Sequence, residues 1–271
     1  MAKDRDRRAA HVTTADINTY IVSRQSEGAA NASINRELAA LKRAYSLAMR
    51  SSPPRVHVRP YIPMLEENNT RTGFFEEHQF RAVQAALPII YQGVVGFAYI
   101  TGWRVAAEVL PLQWHQVDFG VGTVRLEPGT TKNKEGRTFY MTPELRATLE
   151  GQRAASDALQ RTQGAIIPWV FHRNGEPIKG FRKAWKAACI AAGCPGRIPH
   201  DFRRTAVRNL ERAGVPRSTA MKMVGHKTES VYRRYAIVDQ QMLREGSEKY
   251  AAGQSSGQSG QKSSALRLVN H

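Results

Sequence analysis

Between Pro199 and Tyr235 the chain carries two histidines, an arginine and a tyrosine at spacings that can bring them to one ligand. The run reads His200-Asp201-Phe202-Arg203, then Val224-Gly225-His226, then Tyr235 nine residues after that histidine. Positions i and i+3 of a helix share a face, so His200 and Arg203 can meet one group. Gly214 and Pro216 punctuate the end of that helix. A second short helix over about residues 218–223 ends at Gly225, which puts His226 on a tight turn. Thr228 or Ser230 can cap a third helix whose second turn carries Tyr235.

A phosphodiester can be cut without a metal if the protein supplies a nucleophile, positive charge for the nonbridging oxygens and a proton for the leaving group. A phenol titrates near ~10, so a tyrosine nucleophile needs a base beside it. Arg104 and Arg203 suit the phosphate, because a guanidinium fork matches two of its oxygens at once. Arg104 follows an uncharged stretch and precedes an apolar one, an unusual place for a casual surface arginine. Arg204 competes with Arg203 for this role, and the i+3 relation to His200 favours Arg203. No Cys/His grouping has the spacing of zinc ligands, so neither metal nor other cofactor is expected.

This constellation resembles the tyrosine recombinase (phage integrase) family. The resemblance rests on the H-x-x-R box at His200 and Arg203, the Gly225-His226 pair, and Tyr235. Two upstream pieces add to it: Thr101-Gly102-Trp103-Arg104, and Thr131-Lys132-Asn133 in an expected hairpin turn. Each piece alone is weak, but five in order make a specific signal over about residues 12–250. It implies a catalytic set of Arg104, Lys132, His200, Arg203, His226 and Tyr235. By the same resemblance His200 accepts the tyrosine proton and His226 bonds the phosphate. Lys132 gives a proton to the departing 5′ oxygen, with Lys134 as a rival in the same turn. Tyr235 attacks to form a 3′-phosphotyrosine, with Tyr232 one turn earlier as its rival. There is one departure. Many members place an acidic residue three positions after the first arginine, whereas Glu108 lies four on from Arg104, as if one residue were added.

The implied protein is a site-specific recombinase acting on double-stranded DNA as a homotetramer, a monomer when free, and admitting accessory DNA-bending proteins. Two other readings stand beside it: a non-catalytic DNA-binding protein on the same fold, and a type IB topoisomerase-like enzyme that relaxes DNA. The full Arg/Lys/His/Arg/His/Tyr set disfavours mere binding, and the H-x-x-R and G-H boxes favour recombination.

The elements that must position these residues read as a mainly helical α+β fold with a small antiparallel sheet. A small helical, SAM-like core-binding domain (1–68, with linker) is followed by a catalytic domain (69–250) and a disordered tail (251–271). In the first domain a helix over residues 13–23, capped by Thr14, precedes one capped by Asn31 or Ser33. The family has about four helices here and two are legible, so the domain reads as shortened. Residues 51–69 are Pro-rich, lack periodicity and read as an interdomain linker. Next come a helix over 76–87 and an uncharged helix to Gly102, continuing helically over 105–114. Strands follow over 117–119, 123–127 and 137–141, then a helix over 143–161, a strand over 169–171 and a helix over 180–192. Residues after Tyr235 read as a short amphipathic helix with Ile237, Val238, Met242, Leu243 and Tyr250.

The charge supports an anionic partner. The chain of 271 residues has a formal net charge of +17. Residues 179–234 hold 14 Lys/Arg against 3 Asp/Glu, and residues 1–60 hold 11 against 5. Two cysteines, Cys189 and Cys194, read as free thiols of a reducing cytosol, and the charged first residues are not a signal peptide. Residues 82–103 are uncharged and long enough to span a membrane, but Pro88, Gln92, Gly93, Gly96 and Gly102 interrupt them, so a buried helix is expected. Each phosphate neutralised contributes about −0.9 to the slope of log K against log salt, so DNA affinity should fall with a slope steeper than about −3. A shallower slope in a filter-binding titration would contradict a phosphate-gripping protein.

Overall fold

A computed structural model describes residues 8–67, 73–129, 135–233, 235, 243–244, 246–248 and 250–251. The chain divides into two units, Met1–Arg71 and Thr72–His271.

In the first unit two helices, α1 (Thr14–Ser26) and α2 (Asn31–Arg50), pack their apolar stripes together. Thr13, not Thr14, caps α1: its hydroxyl accepts from the Asp16 N–H while the Asp16 carboxylate accepts from the Thr13 N–H. Ile17, Ile21, Ile34, Leu38 and Tyr45 form the core. The Pro-rich stretch expected to be a linker is part of this unit. Val56 and Ile62 are buried in the same core, and the Asn35 amide bonds both the N–H and the C=O of Leu65. A buried amide that satisfies a passing backbone pins an otherwise irregular segment.

The second unit is built around two helices, α4 (Ile89–Thr101) and α7 (Asp201–Arg212). The uncharged stretch is broken at Leu87-Pro88, which separates α3 (Glu77–Ala86) from α4. Proline takes the N-cap of α4, where a missing N–H costs nothing. Among the described residues no helix is long and apolar enough to cross a membrane. α4 is buried on most sides, packed against α7 and against α5 (Pro143–Gln163). The three-stranded antiparallel sheet has β1 (Val117–Asp118), β2 (Thr123–Leu126) and β3 (Arg137–Tyr140) in that order, with Val124 opposite Phe139.

Two expected elements differ. The stretch after Arg104 is not a continuing helix; it makes one π turn, with Arg104 C=O accepting from the Val109 N–H and Val105 C=O from the Leu110 N–H. Residues 169–171 make only a bridge between Trp169 and Gln113. The nearby hairpin is β4 (His172–Arg173) with β5 (Glu176–Pro177), turned by Asn174 and Gly175, both at positive φ. Asn-Gly is the pair that tolerates this tight turn. After Tyr235 the described residues 243–244, 246–248 and 250–251 are helical; Ile237, Val238 and Met242 lie outside the described residues.

α7 is polar in composition yet buried from Asp201 to Arg208. Several of its polar groups find partners in neighbouring segments. The Asp201 carboxylate accepts from the Ile198 N–H, the Thr205 hydroxyl accepts from the Phe75 N–H, and Arg208 pairs with Glu76 at 2.7 Å. Phe202 supplies the apolar contact, packing against Phe75, Phe80 and Trp185, the last on α6 (Arg182–Ala191). One side of α7 therefore secures the start of α3, leaving His200 and Arg203 to build the site.

Candidate active site

Four of the six sequence-predicted residues meet at the start of α7. His200 occupies its N-cap position, and its Nε2 lies 3.0 Å from the Tyr235 hydroxyl. Arg203 lies one turn on and is 2 % exposed. Its Nε–H donates to His226 Nε2 at 2.9 Å, and its terminal nitrogens donate to the carbonyls of Gly102 (2.9 Å) and Gly225 (3.1 Å). A guanidinium has five N–H donors; three are used here, and the other two have no partner among the described residues.

Both carbonyls belong to helix ends. Gly102 closes α4 and Gly225 closes α8 (Arg217–Val224), each in the left-handed conformation at φ +66° and +74°. Only glycine takes that conformation without a steric penalty. At Gly102 a Cβ would also sit 2.8 Å from the Ala206 Cβ on α7. The two glycines thus carry Arg104, two residues after Gly102, and His226, one residue after Gly225, to the same guanidinium. Trp103 strengthens the join: it is buried, and its indole N–H donates to the Met223 carbonyl.

Arg104 is held by Glu108, which is 1 % exposed. One carboxylate oxygen accepts from the Arg104 backbone N–H at 2.8 Å, and the other pairs with the guanidinium at 2.6 Å. The π turn takes up the residue by which Glu108 exceeds the family spacing, so the displaced carboxylate still faces Arg104. The same carboxylate pairs with Arg137 of β3 at 2.6 Å, and Arg137 donates to the Val224 carbonyl at 2.7 Å. In the sequence Arg137 shows only as a strand residue. Its signal lay in the two-residue strand period, which puts it on the inward face with Phe139.

Burial and crowding of cations set the protonation states. His226 is pushed down to about 3, first by burial and then by Arg203 and Arg104. It is therefore neutral, consistent with its Nε2 accepting from Arg203. His226 Nδ1 is buried without a partner among the described residues. His200 is also held below the ordinary histidine value, by partial desolvation and then by Arg203 and Arg104, although its outer surface faces solvent. Burial and Arg104 lower Arg203 to about 10, which leaves it charged at neutral pH.

The two tyrosines separate clearly. Tyr232, in α9 (Glu229–Arg233), is fully buried, and burial followed by the nearby Glu211 raises its phenol pKa. Tyr235 follows α9 and is partly exposed, with its ring 4.7 Å from the His226 ring. Thr228 caps α9, accepting from the Val231 N–H. Lys132 lies outside the described residues, as do its rival Lys134 and the turn carrying them. A cavity of about 690 Å³ opens between strands β2 and β3 and the end of α8, lined by Arg125, Arg137, Lys222 and His226.

Residues 75–242 match the phage integrase family, and residues 1–52 match the N-terminal SAM-like domain of phage integrases. The chain belongs to the phage integrase family. With the family comes the class of chemistry, DNA strand transfer in site-specific recombination. The tyrosine recombinase XerC of Pediococcus pentosaceus is 23% identical over 255 residues, covering 87% of this chain and 81% of that protein. Among solved structures, the Tn1549 transposon integrase in complex with a circular intermediate DNA has a TM-score of 0.70 at 15% identity, covering 89% of this chain and 86% of that one. A lambda integrase dimer bound to a COC′ core site has a TM-score of 0.66 at 16% identity, with coverages of 86% and 82%. At those identities the likeness speaks for the fold: a mainly helical catalytic domain with a small antiparallel sheet, preceded by a SAM-like domain.

Glu108→Gln keeps the shape but removes the charge that two guanidiniums share. Removing one partner of a buried pair costs about 3 kcal/mol or more, about 6–12 °C in Tm for a unit of this size. A scanning-calorimetry Tm within about 2 °C of the parent would show that Glu108 does not hold Arg104 and Arg137 in place.

Proposed function

We propose that the chain is a site-specific recombinase that cuts and rejoins duplex DNA through a covalent 3′-phosphotyrosine, without metal or ATP. The observation that carries this reading is the 3.0 Å approach of a depressed-pKa histidine, His200, to the hydroxyl of a partly exposed tyrosine, beside a buried arginine with N–H donors to spare. That distance lies within the reach a base needs to take a nucleophile's proton.

In the proposed reaction the Tyr235 oxygen attacks phosphorus while its proton passes to His200. Arg104 and Arg203 donate to the nonbridging oxygens, where negative charge grows in the transition state. The neutral His226 adds its Nδ1–H, a donor already desolvated and needing an acceptor. The 5′ oxygen leaves with a proton from Lys132. The tyrosyl ester conserves the phosphodiester linkage, so attack by a 5′ hydroxyl reverses the step with no nucleotide cofactor. The fixed positive charges do the work a metal ion does in other nucleases.

We assign residues 1–68 to a DNA-gripping core-binding domain, 69–250 to the catalytic domain and 251–271 to a tail. The DNA in the solved relatives' complexes supports duplex DNA as the partner. Exchange between two duplexes calls for four protomers on DNA, assembled from monomers.

The test is a nicked suicide duplex taken from the flanks of the protein's own gene, with covalent adducts read by denaturing gel. Parent protein and Tyr232→Phe should form adduct, in excess EDTA as well. Tyr235→Phe should bind the DNA with unchanged affinity and form none. Adduct formation by Tyr235→Phe, or loss of cleavage in EDTA that magnesium restores, would overturn the proposal.

A further inference from the structure

Arg204 follows Arg203 on α7 and is nine-tenths buried, at 9% exposure. Successive helical residues point about 100° apart, so the two arginines cannot serve the same group in the same way. Arg203 grips the two glycine carbonyls and His226. Arg204 lies over the nucleophile instead: its guanidinium carbon is 5.3 Å from the centroid of the Tyr235 ring. Among the described residues, the charged and titratable groups facing that ring are His200, Arg203 and Arg204 from α7, and His226 from the turn after α8. His200 meets the phenol oxygen and His226 meets the ring at 31°.

A cation over an aromatic face is attracted by the ring's negative quadrupole. When a phenol loses its proton, negative charge spreads into the ring and the attraction grows. An interaction stronger in the ionised form than in the neutral one favours the attacking state over the resting state, which is the condition for accelerating a step rather than merely tightening a fold.

We propose that Arg204 is a positioning residue for the nucleophile, holding the Tyr235 ring for attack and favouring the phenolate as His200 takes the proton. The proton moves from the Tyr235 oxygen to His200 Nε2, and no further reactant enters. This rests on Tyr235 as the nucleophile, the reading proposed above. It also explains a residue that sequence alone offered only as a competitor to Arg203.

The test is single-turnover adduct formation on the suicide duplex at saturating protein, across a range of pH, for the parent, Arg204→Gln and Arg204→Lys. The adduct is mapped to its tyrosine by peptide mass, and DNA affinity is measured separately. Arg204→Gln should be slower by about tenfold at about pH 6, with the deficit shrinking towards about pH 9, while its DNA affinity stays within about twofold of the parent. Arg204→Lys, which keeps a cation, should recover most of the rate. A thermal melt qualifies each variant, and Arg204→Met repeats the test if Arg204→Gln does not fold. Equal rates for parent and Arg204→Gln, a deficit of the same size at every pH, or failure of Arg204→Lys to recover rate would overturn the proposal. So would a loss explained wholly by affinity, which marks a DNA-phosphate contact. Adduct mapping to another residue in the parent is a different failure, that of the nucleophile assignment itself.

Discussion

A guanidinium out of water must find acceptors for its donors, and Arg203 finds them on two helix ends, which the Trp103–Met223 bond also ties together. The carbonyls of Gly102 and Gly225 are available because each helix stops in a left-handed glycine, which turns the chain and leaves a backbone acceptor unclaimed by the helix. With α7 carrying Arg203, three segments distant in sequence are held at one charge. Arg104 and His226 arrive as neighbours of the two glycines. The site is therefore assembled by the same contacts that satisfy a buried cation.

The arrangement has a cost that shapes its chemistry. Arg104, Arg137 and Arg203 stand close together, and Glu108 offsets only part of their charge. Such a cluster is complementary to an anion. The same positive field, added to burial, keeps His226 uncharged, so the histidine offers a neutral donor rather than a fourth competing cation. It also depresses His200, leaving that ring free to accept a proton. The same cluster of cations thus lowers both histidines.

Much of this was legible in the sequence. His200, Arg203, Gly225, His226 and Tyr235 lie within one stretch, where helix period and glycine stops govern distance directly. Arg104 was legible because a lone cation ending an uncharged helix is conspicuous. Arg137 was not, because its role depends on β3 lying against the end of α8, a contact between segments 87 residues apart in sequence. The stretch after Arg104 was misread as a helix for a related reason. Its apolar pattern suits helical turns, but the tertiary demand that Glu108 reach both Arg104 and Arg137 is met by a π turn instead. In the first unit, the burial of Val56 and Ile62 was hidden because an irregular strap pinned by Asn35 has no period to read.

The claim that Arg203 both joins the site and serves the phosphate is tested most directly by Arg203→Lys, through the single-turnover rate of covalent adduct formation together with the Tm. Lysine keeps the charge but cannot span two carbonyls, an imidazole nitrogen and a phosphate at once. A lowered Tm and a rate reduced by about a hundredfold or more at saturating protein are expected. A lysine variant that melts with the parent and cleaves at the parent's rate would contradict it.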